Sequence, residues 1–126
     1  MTFLDRYQPQ LLSTLRIVAG LLFLEHGTQK ILGFPPMTMA IPPDHATIVM
    51  AAGCIELIGG ALIVLGLFSR VAAFICSGEM AVAYWVAHFP KSPFPVVNGG
   101  GEAILFCFVF LYLAASGPGP WAVNQR

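Results

Sequence analysis

The sequence predicts an all-α integral membrane protein: a bundle of four helices, built as two similar helical hairpins, with both termini in the cytoplasm. Three observations lead there. The composition is 57% hydrophobic and 10% charged, whereas soluble domains carry about 25% charged residues. The apolar residues fall into four blocks, about 10–31, 46–68, 71–89 and 101–116. Each is close to the roughly 20 residues that cross about 30 Å of hydrocarbon as a helix. A pattern also recurs. Arg16-Ile-Val-Ala19 precedes Glu25 by nine residues, and Arg70-Val-Ala-Ala73 precedes Glu79 by nine residues. Each of these runs is followed by one carrying Gly-x-x-Glu, first Gly53-Cys-Ile-Glu56 and then Gly99-Gly-Gly-Glu102.

Four spans consume most of the 126 residues, so a single transmembrane domain over 1–126 is expected, with no soluble domain. A soluble helical protein is disfavoured because buried helices of membrane length rarely come four in a row. The first block is read as a retained helix, since Arg16, Glu25, His26 and Lys30 interrupt it and no compact basic start leads to a cleavage site. Pro9 suits a helix start. Gly33-Phe-Pro-Pro36 and Ile41-Pro-Pro-Asp44 break the chain, because the residue before a proline is pushed out of helical geometry. Asp44 is the expected N-cap of the second helix. Gly66-Leu-Phe-Ser-Arg70 is so short that the helices it joins are antiparallel neighbours. Phe89-Pro90, Lys91-Ser-Pro-Phe-Pro95 and Asn98-Gly-Gly-Gly101 form a second long loop, and Gly117-Pro-Gly-Pro120 stops the last helix.

Arg6, Arg16, Arg70 and Arg126 fall on one side and Lys30 and Lys91 on the other, a modest bias that places the arginine side in the cytoplasm. Tyr84, Trp85 and Trp121 stand where interfacial aromatics are expected. Arg16 and Arg70, half a turn from the acid of their own helix, are expected to reach the cytoplasmic interface. The first and third helices then run in the same direction, which makes the two hairpins a parallel repeat.

Six acidic and six basic residues balance, so there is no basic field for nucleic acid. At 1.5 Å per residue, Glu56 and Glu79 lie near mid-membrane, Glu25 toward the outer side and Glu102 at the outer mouth. His26, Lys30 and His88 share that side. Small residues flank the two deep acids at helical spacing, including Gly53, Gly59 and Gly60 beside Glu56, and Ala72, Cys76 and Ala83 beside Glu79. Small residues mark the side on which helices approach closely, so both acids are expected to point inward. At least one of the two is expected to carry a proton at neutral pH and to donate a hydrogen bond. Intramembrane acids are costly and mark ligand or proton sites, although interhelical pinning is the plainer alternative.

Several chemistries lack their pattern. A di-iron carboxylate bundle wants Glu-x-x-His, but Thr28, Gly59, Val82 and Leu105 follow the four glutamates at that spacing. His26 and His88 stand at helix ends, where histidines are common without haem. Gly99-Gly-Gly101 lacks the Lys-Ser/Thr of a phosphate loop. Cys54, Cys76 and Cys107 form no Cys-x-x-Cys pair and read as small packing residues. No metal site is expected.

Arg16…Gly20-Leu-Leu-Phe23, His26-Gly27…Lys30, Glu56-Leu-Ile-Gly-Gly60, Leu65-Gly66…Arg70, Gly78-Glu-Met-Ala81, His88, Gly100-Gly-Glu102 and Gly117-Pro-Gly119 follow one another in order. The ordered set resembles the DoxX family of small bacterial membrane proteins over nearly the whole chain. The family often ends in Arg-Trp-Ser-x-Asp, where this chain has Pro120-Trp-Ala-Val-Asn124. The resemblance implies a multi-pass, four-helix protein of the bacterial cytoplasmic membrane. It also implies a redox association through a partner oxidoreductase subunit, since the family name comes from relatives of a thiosulfate:quinone oxidoreductase subunit. A quinone or another small apolar ligand would need an apolar slot with a few polar groups. Glu25, His26, Lys30, Glu56, Glu79, His88 and Glu102 are the candidates to supply them. Two alternatives stand beside this reading: a non-catalytic module that assembles a membrane complex, and a proton-coupled transporter working as a homo-oligomer.

Overall fold

The computed structural model describes residues 2–126, and it is all-helical with no strand among them. Helix α1 spans Gln8–Leu32, α2 Ala46–Leu65, α3 Ser69–Ala83, α4 Pro95–Asn98 and α5 Gly101–Ser116. Short 3-10 turns, Thr2–Tyr7 and Pro43–His45, lead into α1 and α2. Beyond Ala83, α3 continues through a π-helical turn, Tyr84–His88, and a 3-10 turn, Phe89–Lys91. Pro90 lies in that last turn, because a proline fits the first turn of a helical segment but not its interior.

With these turns included, Thr2–Leu32, Pro43–Leu65 and Ser69–Lys91 are long and apolar enough to cross a membrane. Helix α5 has 16 residues, about 24 Å at 1.5 Å per residue, and is the shorter partner. Its N-terminal side is extended by α4 and the Gly99–Gly100 link, which lie at the same end of the molecule.

Pro9 occupies the second position of α1, where a missing N–H costs nothing. Gly33 closes α1 in the left-handed region at φ 69°, a conformation glycine adopts without penalty. The start of α2 differs from expectation. Its N-cap is His45, and Asp44 sits inside the preceding 3-10 turn with no capping bond from its side chain. Proline at 42 and 43 sets that turn and shifts the helix start by one residue.

Helices α1 and α2 pack against each other along their lengths, as do α3 and α5, while α2 and α3 meet less extensively. Backbone proximity makes the first pair tight. A Cβ on Gly27 would overlap the α2 backbone at Glu56 and Leu57, and one on Gly60 would lie 2.9 Å from the Leu24 Cα. The α1 and α5 surfaces meet through aromatic rings. Phe23 stands edge-on to Phe110 at 4.8 Å and to Phe106 at 5.5 Å, and Phe106 stacks on Phe110. Ile63, Ala73, Cys76 and Leu113 complete a core sealed from its surroundings. The outer surface is apolar on every long helix, with Leu21, Ile58, Phe74 and Leu105 about half to two-thirds exposed, as suits contact with lipid tails.

The tail after α5 folds back over one end of the molecule. Arg16, fully buried rather than reaching an interface, donates to the carbonyls of Pro118 and Trp121. Ser13 Oγ accepts from the Trp121 N–H at 3.1 Å. Val123 and Asn124 N–H groups donate to Leu65 and Gly66 carbonyls, and the Asn124 side chain accepts from the Phe68 N–H. That bond helps hold Phe68, a non-glycine residue at positive φ (49°), in the tight α2–α3 turn. Arg70 Nη1 donates to Ala115 O at 2.6 Å and so satisfies a carbonyl at the end of α5.

Candidate functional site

The candidate site lies toward the opposite end, where the long loops are. Helix α2 carries Glu56 at its midpoint, turned inward between α1 and α3 and fully buried. Its partner comes from α1. Because Gly27 lets α1 ride on the α2 backbone, Lys30, one turn later, lies over Glu56. Its Nζ donates to both carboxylate oxygens, at 2.6 and 2.8 Å. The lysine side chain is 21% exposed. Its methylenes run along apolar surface while the ammonium reaches inward, the reverse of the usual snorkelling direction. A buried pair of this kind is stabilised by good geometry, and losing either partner strands the other charge.

Glu79, from the middle of α3, faces the same pair, its carboxyl within reach of the Glu56 carboxylate. Both Glu79 carboxylate oxygens are sealed from solvent, and neither receives a hydrogen bond from a donor among the described residues. Buried carboxylates almost always have partners, which makes this one a marker. Glu79 stands in the wall of a cavity of about 420 Å³ between α2 and α3. Lys30 and His45 are the other polar groups that line it, and the remaining wall is apolar, from Val49, Ala52 and Ile55 to Ala83 and Ala87. Ile48, Ile75, Val82 and Val86 edge it and are each about half exposed, so the cavity opens sideways onto the apolar flank. A second cavity of about 240 Å³ continues along the α2–α3 seam, sharing Ile55 and Ile75 with the first and bordered by Cys54 and Cys76.

Residues 11–89, which carry Glu25, His26, Lys30, Glu56, Glu79 and His88, match the DoxX family. The chain belongs to the DoxX family. It is also 42% identical, over its full length and 97% of the relative's, to an uncharacterised protein of Haemophilus influenzae. No solved structure matches it. The family is one of small membrane proteins, and this DoxX family member, with its long apolar helices, is a membrane protein.

The remaining sequence candidates lie apart from the cavity. His26 Nε2 and Glu102 Oε1 form a pair at 2.8 Å that joins α1 to α5 at the loop end, with side chains 38% and 61% exposed. Glu25 is exposed on the outer face of α1. His88 Nδ1 lies 3.0 Å from the Asn98 carbonyl oxygen. That contact belongs to a clip in which Asn98, itself buried, donates to Tyr84 Oη and Ser92 O and accepts from the Gly100 N–H at 2.7 Å. Tyr84 is therefore buried rather than interfacial, while Trp85 and Trp121 are exposed. The clip fixes the loop that carries the chain from α3 into α5. Among the described residues no group of three or more His, Cys, Asp or Glu side chains is arranged to hold a metal ion, and the three cysteines are free thiols.

The sequence reasoning missed His45, which lines the cavity, and Asn98, which organises the clip that lies apart from it. The Asn98-Gly-Gly-Gly run marks a turn, but only the folded chain shows that its side chain makes three hydrogen bonds.

Proposed function

We propose that this DoxX family member is a redox-associated membrane subunit that binds a quinone or another small apolar ligand through its intramembrane carboxylates. The observation that carries the reading is the Glu79 carboxylate, which lies in the wall of the α2–α3 cavity with no hydrogen-bond donor to it among the described residues. The cavity volume is within the range of ligand pockets, which are mostly apolar with a few placed polar groups. Its lateral opening suits a molecule that arrives from the lipid phase. Lys30, held by the buried Glu56 behind it, is a fixed polar group of the wall. Glu79 is the group left to hydrogen-bond a head group and to take up or give a proton beside it.

The setting proposed for this chemistry is a single multi-pass domain in the bacterial cytoplasmic membrane. The three long helices and α5 cross as a four-helix bundle of two hairpins, with both termini and the Arg70 turn in the cytoplasm. Electrons would be exchanged with an oxidoreductase partner subunit. One observation favours the second reading, a module that assembles a complex: both Glu56 oxygens are committed to Lys30, so this acid pins α1 to α2. Assigning Glu56 to structure and Glu79 to the ligand accommodates both observations.

Native mass spectrometry of protein extracted gently from its own membrane tests the proposal. A retained quinone or comparable small molecule, absent from the Glu79→Gln variant, is the expected result. Protein carrying lipid and a partner subunit alone, identical in wild type and variant, would place it in the assembly class.

A further inference from the structure

The charges around the cavity do not balance. Two of the three Lys30 ammonium N–H groups are taken by the Glu56 oxygens, and the third makes no hydrogen bond to Glu79. His45 ahead of α2 and Cys76 one turn before Glu79 on α3 complete the titratable groups on this side of α3. On the other face, Cys107 of α5 lies against Ser77 and Glu102 is paired with His26, and no α5 residue lines the cavity. Lys30, Glu56 and Glu79 taken as ions therefore sum to a single negative charge, and it resides on Glu79. A carboxylate sealed in an apolar wall is tolerated only with a proton or a counter-cation. The space next to it is apolar, wide enough for a ring-bearing molecule and open toward lipid.

We infer that the α2–α3 cavity is a binding site for a lipophilic organic monocation, held by the Glu79 carboxylate in exchange for a proton. The cation's apolar body fills the space between Val49, Ile55, Val82 and Val86, and its charge lies beside Glu79. One proton leaves the Glu79 carboxyl for water as one cation enters, so the charge inside the protein is unchanged. Such a ligand class is set by the wall and by the unpaired acid together. A neutral molecule of the same shape gains only the apolar contacts, and a hydrophilic cation such as an alkali ion finds no oxygen cage. The inference uses the same cavity as the quinone reading but requires a different head-group chemistry, so the two stand or fall separately.

The test uses the full chain in lipid nanodiscs and equilibrium dialysis with tetraphenylphosphonium as the cation. Triphenylphosphine oxide serves as the neutral aromatic control, and a short-chain benzoquinone is measured in parallel. The expected result is saturable, one-to-one cation binding. Its affinity rises with pH, by up to about tenfold per unit where one proton is exchanged, with proton release on binding in weakly buffered solution. Glu79→Gln removes cation binding and its pH dependence but leaves weak uptake of the neutral control. Ala51→Phe, at an exposed lining position, narrows the cavity without altering a carboxylate and weakens uptake of both. This variant decides the matter if Glu79→Gln does not fold. Binding that never saturates, is indifferent to pH, or is unchanged in Ala51→Phe overturns the inference. Benzoquinone bound without cation leaves the proposed function standing and removes this inference, and cation bound without benzoquinone does the reverse.

Discussion

Lys30 and Glu56 are 26 positions apart and belong to different helices, yet they form the tightest side-chain contact in the interior of the site. Deleting one partner of a buried ion pair costs about 3–5 kcal/mol because the other charge is left stranded. Lys30→Met is therefore expected to lower thermal stability sharply, followed by gel filtration of heated, detergent-solubilised protein. The double variant Lys30→Met/Glu56→Leu is expected to recover most of the loss, since apolar replacements of similar volume are often neutral. A double variant as unstable as the single one would show that the pair does more than cancel itself. The identities of these residues were legible as polar interruptions of apolar blocks. Their pairing was not, because periodicity gives a residue's face on its own helix and leaves the rotation of the neighbouring helix undetermined.

Among the elements, the α1–α2 hairpin depends on how closely two backbones approach. Gly27→Ala forces a methyl group into the α2 main chain, and overpacking of this kind costs about 1–3 kcal/mol. Since the Gly27 contact also sets the height of Lys30 over Glu56, ligand binding is expected to weaken along with stability. Gly78 is the internal control. A Cβ there meets nothing within 4 Å, so Gly78→Ala is expected to stabilise α3 by up to about 1 kcal/mol through helix propensity. Thermal melts of both variants in the same detergent check the opposite signs. The helical class was readable from apolar blocks of membrane length. The finer behaviour of the elements was not: the start of α2 at His45 rather than Asp44, the π-turn at Tyr84–His88 and the short α4 reflect prolines and loop contacts acting against local propensity.

For the molecule as a whole, the C-terminal tail is the closing element. It connects α1 through Ser13 and Arg16, and the α2–α3 turn through Leu65, Gly66 and Phe68, to the end of α5. Hydrogen bonds to a charged group contribute about 1.5–3 kcal/mol each, and Arg16 is fully buried with its guanidinium committed to this tail. Removal of residues 117–126 is expected to leave that charge uncovered and to reduce the yield of monodisperse protein in fluorescence-detected gel filtration. Adding Arg16→Leu to the truncation is expected to restore part of the yield, and no restoration would assign the tail a role other than covering Arg16.

By itself, the sequence determined that the chain is all-helical and built for a membrane, and that it belongs to the DoxX family. Those properties reside in composition, block length and ordered local motifs, each readable without knowing what touches what. Only the tertiary structure decided which acid is neutralised and which is left alone, that Arg16 turns inward beneath the tail, and that Tyr84 is buried against Asn98. It also decided that a cavity opens between α2 and α3 beside Glu79. These are relations between helices, set by glycine-mediated approach and by interdigitation of side chains distant in sequence. The energy of a buried charge depends on those neighbours far more than on its own place in the chain.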